Sequence, residues 1–259
     1  MKKFPKICWV TGAGSGIGHA IAAKLASEGH RVYISGRDQA RLEKTSREIA
    51  GELIPLPCQV GDDAGMACLL VDQGIPHLDL VVINAGTCEY IELPDLDIKA
   101  CRRVAETNYF GVINTCIAAL PLLQRAASMP GRAKPQIIGI GSQSSLLGLP
   151  RAEAYGSSKA AMSYFLDSLR TDLDGQIDVT VVYPGFIRTP MTDQNDFPMP
   201  FLLSAEKAAD IILSRAAKRP LRVIFPYRLY WLLKVLNIFS GLWYFRIAPR
   251  LSRQQEMNT

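Results

Sequence analysis

Short β-branched segments alternate with longer helical segments along most of the chain, and this alternation restricts its fold more than any other feature. Helices are predicted from the glycine run to about residue 28, and at 38–50, 99–124, 154–173 and 204–217. Seven segments have the composition of strands: 7–10, 31–35, 53–60, 78–83, 136–140, 177–183 and 221–225. The alternation predicts βαβ units. With no Pro/Ser linker present, we expect one α/β domain over residues 1–225, a doubly wound seven-stranded parallel sheet with helices on both faces.

A glycine-rich run, Thr11-Gly12-Ala13-Gly14-Ser15-Gly16-Ile17-Gly18, lies between the first predicted strand and the first predicted helix. Glycine lets the backbone turn sharply and approach a pyrophosphate, and the N-terminus of a helix offers free N–H groups to an anion. A glycine run alone is also typical of a plain tight turn, but this strand–loop–helix position is the one that a dinucleotide site requires. We therefore predict nucleotide binding by Gly12, Ser15, Gly16, Ile17 and Gly18.

The end of the second predicted strand bears on which nucleotide is bound. An acidic residue there would bind the ribose 2′-hydroxyl of NAD, whereas a basic residue would favour the 2′-phosphate of NADP. The chain has Gly36 at this position, followed by Arg37, whose guanidinium can pair with phosphate. Two alternatives are a solvated Arg37 beside an Asp38 that caps the next helix, and an Asp38 that serves as the ribose acid. We predict that NADP(H) is preferred over NAD(H).

Tyr155 and Lys159 are four residues apart at the start of a predicted helix, so they share one face. A nearby lysine cation favours the phenolate and lowers the pKa of a tyrosine, which suits proton transfer to or from oxygen while hydride moves to or from carbon. Ser142 ends the fifth predicted strand, at the edge of the sheet where ligands of open α/β folds bind. Its hydroxyl can bond a substrate oxygen, although it could equally be a turn serine.

With Asn84-Ala85-Gly86, Asn108 and Pro184-Gly185 in addition, the chain resembles the short-chain dehydrogenase/reductase family from about Lys6 to Phe225. The resemblance implies a Rossmann-type fold and an oxidoreductase acting on a small-molecule carbonyl or alcohol. It implies that Tyr155 is the acid/base, that Lys159 holds the nicotinamide ribose and lowers the pKa of Tyr155, and that Ser142 orients the carbonyl. It assigns further roles as follows: a proton-relay water to Asn108, support beside the adenosine to Asn84, Ala85 and Gly86, and carboxamide contacts to Ile187 and Thr189.

Three positions depart from the pattern of the family that the chain resembles. Ile83 stands where a second Asn is usual, and Gln59 stands where an Asp often faces the adenine. Strand five ends Gly141-Ser142-Gln143-Ser144-Ser145, where the family often has a second Ser before the catalytic one and a small pair after it. We expect the change at 143–145 on the substrate side. None of the three removes a catalytic group, which favours an active enzyme.

Charge and cysteine content restrict the partners. From Arg215 onward there are nine basic residues and one acidic residue, a net +8 that leaves −3 of the total +5 on residues 1–214. A mildly acidic body argues against nucleic acid as a partner. The six cysteines form no C-x-x-C pair and no zinc spacing, and the N-terminus lacks the apolar stretch of a secretory signal. We expect reduced thiols, no metal and a cytoplasmic protein.

Residues 226–259 form a hydrophobic and basic C-terminal extension. Its apolar part, 229–245, is short for a membrane span and is interrupted by Lys234 and Asn237. The Trp and Tyr content with basic flanks suits peripheral contact at the inner membrane face. A lid over the substrate cleft and an interface in a homo-oligomer are the alternatives.

Two classes of function follow from these patterns. The first is an NADPH-dependent carbonyl reductase, or the reverse alcohol oxidation, and the apolar loop 189–203 indicates a hydrophobic aldehyde or ketone. The second is an NADP(H)-binding regulatory or membrane-associated module with little turnover. The complete set of Asn108, Ser142, Tyr155 and Lys159 favours the first class.

Overall fold

The computed structural model describes residues 5–251, and its elements follow the predicted alternation. The strands are β1 (Ile7–Thr11), β2 (Arg31–Ser35), β3 (Glu52–Pro55), β4 (Leu80–Ile83), β5 (Gln136–Ile140), β6 (Asp178–Pro184) and β7 (Arg222–Phe225). The helices are α1 (Gly16–Ser27), α2 (Gln39–Glu48), α3 (Asp63–Asp72), α4 (Ile98–Ala105), α5 (Gly111–Ala127), α6 (Glu153–Asp172), α7 (Ala205–Ala216) and α8 (Tyr227–Ile238).

All seven strands pair in parallel in one sheet, in the order β3-β2-β1-β4-β5-β6-β7. The chain first builds outward from β1 through β2 to β3 and then continues on the other side of β1 from β4 to β7. This reversal is the topological switch point at which open α/β sheets form a crevice beyond the carboxyl ends of their strands. The predicted doubly wound seven-stranded sheet is confirmed.

The two faces of the sheet are covered by separate apolar clusters. On β1, Cys8 and Val10 belong to the cluster formed with α1 and α7, whereas Trp9 belongs to the cluster formed with α3, α5 and α6. Successive side chains of a strand point to opposite faces, so a strand buried on both sides is apolar at every position. The continuous hydrophobicity of β1 and β4 therefore results from helices on both faces.

The third strand and the helix after it differ from the prediction. The predicted strand at 53–60 ends at Pro55, and the predicted helices did not include α3. The backbone N–H groups of Leu56 and Cys58 still donate to the carbonyls of Ile34 and Gly36 at 2.8 and 3.0 Å, so the chain stays hydrogen-bonded alongside β2 beyond Pro55. Asp62 then caps α3 by accepting a hydrogen bond from the Gly65 N–H at 3.1 Å, and such caps begin helices.

The helix predicted at 99–124 contains a π-helical turn, Glu106–Phe110, between α4 and α5. Gly111 follows this turn and packs closely on Val60, because a Cβ at residue 111 would lie 2.6 Å from Val60 Cγ2. Turns of this type inside α-helices are frequent at functional sites. This one carries Asn108, which is fully buried.

Ile98–Ala127 is the one helical stretch in residues 5–251 that is long and apolar enough to cross a membrane by length and composition. Of its most apolar window, 56% is buried within the protein. Its apolar character therefore fits a core helix of the sheet's second face.

The C-terminal extension folds back on the body of the protein. After α8, helical segments at Ser240–Leu242 and Ala248–Leu251 flank a second π-helical turn, Trp243–Ile247. Leu229, Leu233 and Trp243 pack around Leu147, in the loop after β5. Trp243 Nε1 donates to the Gly148 carbonyl at 2.9 Å, and the Gly148 N–H donates to the Tyr244 hydroxyl at 3.3 Å.

Candidate active site

The loop between β1 and α1 needs glycine for two different reasons. Gly12 and Gly16 have φ angles of +65° and +57°, a backbone region that residues with a Cβ seldom adopt. A Cβ at residue 12 would lie 2.8 Å from Ala85 Cα, and one at residue 16 would lie 2.8 Å from Thr189 Cγ2. The loop therefore contacts both the end of β4 and the segment after β6, which brings three distant parts of the sequence to one edge of the sheet.

Asn84 fixes this loop against β4. Its side-chain amide donates to the carbonyls of Thr11 and Gly12, both at 3.1 Å. In return, the Thr11 hydroxyl accepts from the backbone N–H groups of Asn84 at 3.1 Å and Ala85 at 3.2 Å. Asn84 and Ala85 thus hold the glycine loop in place at the switch point.

The first turn of α1 is suited to an anion. Ser15 is the N-cap residue, but its hydroxyl makes no capping hydrogen bond, so the N–H groups of the first turn keep their capacity to donate. They also lie at the positive end of the helix dipole. Gly12, Ser15, Gly16 and Ile17 line the cleft above this turn, so the loop fits the pyrophosphate of a dinucleotide.

Two arginines lie at the far end of the cleft, beyond β2. Arg37 is exposed beside Gly36, and Arg41 lies over the glycine loop, where a Cβ at Gly14 would be 3.1 Å from Arg41 Cδ. Asp38 lines the cleft, but its carboxylate accepts a hydrogen bond from the Arg41 N–H at 3.0 Å and so caps α2. Asp38 is thus a helix cap in this structure, and its Oδ2 lies 3.8 Å from Arg41 Nε. The end of the cleft therefore carries two arginines and one carboxylate.

Tyr155 and Ser142 meet at the other end of the cleft. Tyr155 is in the first turn of α6 and lines the cleft together with Ser142, whose side chain acts to lower the pKa of the phenol. Ser142 Oγ also accepts from the Ser144 N–H at 3.1 Å and from the Ser144 hydroxyl at 2.9 Å. Ser142 is thus held in one rotamer beside Tyr155, at the carboxyl edge of β5.

Lys159 is only 5% exposed and lies one turn of α6 beyond Tyr155. Its Nζ donates to the Ile140 carbonyl at 2.8 Å and lies 6.0 Å from the centre of the Tyr155 ring. Burial lowers the pKa of Lys159 to about 8, because a charged amine is destabilised where water is excluded. Spacing of four residues does place the two side chains together, as predicted.

Asn108 approaches the same cluster from the π-helical turn. Its amide donates to the Thr87 carbonyl at 2.8 Å and to Ser158 Oγ at 3.0 Å, and its Oδ1 accepts from the Thr87 N–H at 2.8 Å. A Cβ at Gly86 would lie 3.2 Å from Asn108 Oδ1 and 3.3 Å from Lys159 Nζ. Gly86 therefore permits Asn108 and Lys159 to lie side by side.

The pKa of Tyr155 differs from the sequence-based expectation. Burial raises the pKa of Tyr155 to about 12, Cys88 raises it further, and the Ser142 side chain acts to lower it. The lowering of this pKa that the sequence predicts from Lys159 is therefore not observed. A raised pKa favours the protonated phenol, the form that donates a proton.

A cleft of about 340 Å³ joins these groups. Of the 15 residues predicted for the site, Gly18 and Asn108 lie behind the cleft. The other 13 line it: Gly12, Ser15, Gly16, Ile17, Arg37, Asn84, Ala85, Gly86, Ser142, Tyr155, Lys159, Ile187 and Thr189. Gln59 also lines the cleft, near the end where Arg37 and Arg41 lie. Among residues 5–251 there is no group of three His, Cys, Asp or Glu side chains that could hold a metal ion.

Two features of the site were missed by sequence reasoning. Arg41 was overlooked because it belongs to a charged helix in which Arg and Lys are common. Gln143 was expected on the substrate side, but it is buried and its amide donates to the carbonyls of Tyr183, Phe225 and Pro226 at 3.2, 2.9 and 3.3 Å. It therefore joins the residue after Ser142 to the start of the C-terminal extension.

Comparison with known proteins agrees with this arrangement. The family model of the short chain dehydrogenases matches residues 6–198. An uncharacterized oxidoreductase of Myxococcus xanthus is 34% identical over 226 residues, 85% of this chain and 87% of that protein. The 11-beta-hydroxysteroid dehydrogenase 1A of Arabidopsis thaliana is 33% identical over 202 residues, 75% of this chain but only 56% of that longer protein.

Solved structures share the fold. A short-chain dehydrogenase/reductase of Burkholderia phymatum in complex with NAD superposes with a TM-score of 0.82 at 21% identity, over 93% of this chain and 96% of that one. RhlG of Pseudomonas aeruginosa, in an NADP active-site complex, has a TM-score of 0.75 at 28% identity, over 85% of this chain and 94% of that one. The fold and cleft define a nicotinamide-dependent oxidoreductase that acts on a CH–OH or C=O group of a small molecule. The chain belongs to the short-chain dehydrogenase/reductase family.

Proposed function

We propose that this protein is an NADPH-dependent carbonyl reductase in which Tyr155 donates the proton to the substrate oxygen. The observation that carries the proposal is the placement of Tyr155 in the cleft beside Ser142 and one helical turn from the buried Lys159. When bound, the nicotinamide supplies the hydride. Residues 1–225 would form the catalytic domain and residues 226–259 the extension. An NADP(H)-binding module with little turnover is the second candidate, and the complete acid/base set speaks against it.

Each side chain of the cluster has a distinct task in this proposal. Ser142 donates a hydrogen bond to the carbonyl oxygen, which stabilises the negative charge that develops there. Tyr155 delivers its proton to the same oxygen and is re-protonated afterwards. Lys159 holds the nicotinamide ribose and, once charged, favours the phenolate that Tyr155 becomes. Asn108 fixes the backbone at Thr87 and would support a water that returns the proton.

The substrate that fits best is an apolar aldehyde or ketone. The Tyr90 hydroxyl donates to Asn195 Oδ1 at 2.6 Å, which joins the segment after β4 to the loop 189–203. The Phe197 ring packs edge-on against Tyr90 and Phe186, with centroids 5.9 and 6.1 Å apart. Pro190 and Met191 of the apolar loop 189–203 line the cleft. We infer that they and these rings form an apolar wall on the substrate side, which favours apolar groups next to the carbonyl.

The test of this function is NADPH oxidation against aldehydes and ketones of increasing chain length. We expect kcat/KM to rise by about threefold or more for each methylene that the wall buries, because one CH₂ contributes about 0.8 kcal/mol. Turnover confined to small polar ketones would contradict the apolar substrate. Tight NADPH binding without turnover on the whole panel would instead favour the binding module.

The preference for NADP(H) is proposed from the two cations at the adenosine end. Arg37→Ala and Arg41→Ala are each expected to raise the Kd for NADPH by about 10- to 100-fold, because each removes a charge-assisted hydrogen bond to phosphate. The Kd for NADH should change by about twofold or less. Arg47→Ala, an exposed arginine on the same helix that does not line the cleft, is the control. Equal losses for the two nucleotides would refute the preference.

Exposed apolar side chains bear on the oligomeric state of the protein, and its cysteines and charge bear on its cellular compartment and partners. We propose a homo-oligomer, since α5 exposes Ile117 and the adjoining π turn exposes Phe110, and exposed apolar side chains of this size are enriched at interfaces. All six cysteines are free, which is consistent with a reducing cytoplasm. The mildly acidic body remains the argument against a nucleic-acid partner.

A further inference from the structure

The C-terminal extension has one face that is covered and one that is not. Leu229, Leu233 and Trp243 are buried against the loop after β5. The opposite face exposes large apolar side chains: Trp231, Leu232, Val235, Ile238, Phe239 and Phe245. Ile238 is 76% exposed and Phe245 is 82% exposed, so these residues are placed for a partner outside the chain.

The exposed residues form a stripe. Positions 231, 235 and 238 repeat at the spacing of one face of α8, and Phe239 and Leu242 extend the exposed apolar surface beyond the end of the helix. Monomeric soluble proteins seldom expose contiguous apolar surface of this kind, whereas isolated exposed residues are common. The stripe therefore indicates an interaction surface rather than ordinary surface variation.

Charge selects the occupant of this surface. Residues 226–251 contain four cations, Arg228, Lys234, Arg246 and Arg250, and no acidic residue. Within the described part of the chain, no ion pair joins any of them to a carboxylate. A symmetric dimer through this face would bring two such cation sets together, and like charges across an interface are repulsive. An anionic lipid surface has the complementary charge and accepts Trp, Tyr and Phe at its headgroup level.

We propose that α8 and residues 240–251 dock this protein on the headgroup region of an anionic bilayer. The 12 residues of α8 rise about 18 Å, well short of the roughly 30 Å of a hydrocarbon core, so the helix lies in the interface and does not span it. Trp231, Ile238 and Phe245 enter the acyl boundary, and Arg228, Arg246 and Arg250 contact lipid phosphates. The surface is separate from the cleft, and its occupancy is independent of the proposed reaction.

The test is co-sedimentation of the full chain with vesicles of phosphatidylcholine, with and without phosphatidylserine. We expect binding to the phosphatidylserine vesicles, weakened about fivefold for each of Arg228, Arg246 and Arg250 replaced by Gln. Ile238→Glu and Phe245→Glu are each expected to weaken binding by at least about tenfold, because each removes a buried side chain and adds a repelled charge. Val71→Glu, at a position 69% exposed on α3, is the matched control and should bind like wild type.

Two results would overturn the proposal. The first is a wild-type chain that sediments with neither vesicle. The second is a concentration-dependent oligomer, measured by light scattering without lipid, that Ile238→Glu dissociates while vesicle binding is absent, which would assign the face to a second copy. Circular dichroism of each variant shows that it is folded, and NADPH binding, measured in parallel, separates failure of this surface from failure of the proposed function.

Discussion

Replacing Tyr155 by phenylalanine is expected to lower kcat by about a thousandfold, which is within the range for loss of a general acid. The change removes one oxygen and leaves the ring in place between Ser142 and Lys159. Because the glycine loop and the two arginines are untouched, the Kd for NADPH should change by about twofold or less. Stopped-flow measurement of NADPH oxidation, together with a fluorescence titration of the nucleotide, gives both values.

Tyr164→Phe is the matched control for this variant. It makes the same chemical change on the same helix, at a side chain that is 79% exposed, and turnover should be unaffected. If Tyr155→Phe kept wild-type turnover, the proton would have to come from another group and the proposed role of Tyr155 would be wrong. If both nucleotide binding and turnover were lost, the ring would have a structural role that the contacts do not indicate.

Lys159→Met is expected to abolish turnover and at the same time to stabilise the cofactor-free protein. The lysine pKa falls from 10.5 to about 8 on burial, a difference equivalent to about 3 kcal/mol. Loss of the bond to the Ile140 carbonyl offsets about 1 kcal/mol of this. The net expectation is a free energy of unfolding about 2 kcal/mol higher than wild type at pH 7, measured by urea denaturation.

The pH dependence of this difference identifies its cause. Between pH 8 and 10.5 the unfolded chain holds the Lys159 proton and the folded chain does not, so wild type gains stability relative to Lys159→Met as the pH rises through this window. Below pH 8 both states are protonated and the difference is constant. Comparing the two proteins cancels the opposite effect of buried Cys8 and Cys116, whose raised pKa values lower stability at high pH. A variant less stable than wild type at pH 7 would contradict the argument.

The fold was predictable because its elements follow local rules. A strand, a glycine run and a helix appear in order at residues 7–27, and helices on both faces make each strand continuously apolar. Tyr155 and Lys159 could be paired because their contact is set by one helical turn. The bounds of β3 and the omission of α3 were the main errors, and the start of α3 depends on a single cap residue, Asp62.

What the sequence could not provide were quantities set by packing. The pKa of Tyr155 depends on how completely the surrounding elements cover its ring, and no spacing reports that. The orientation of the Gln143 side chain could not be predicted either, because its three carbonyl partners come from β6, β7 and Pro226, up to 83 residues away. Arg41 reaches the glycine loop only because α2 packs beside it.

The hydrogen bonds of Gln143 join the loop that carries Ser142 to the start of α8, so replacing one of these segments affects the other. A chimaera that took its last residues from a relative and joined them at Phe225 would keep every group in the cleft, but it would place a foreign backbone against this amide. A transplanted tail would therefore have to follow a backbone path that puts a carbonyl where Pro226 places its own, within reach of Gln143.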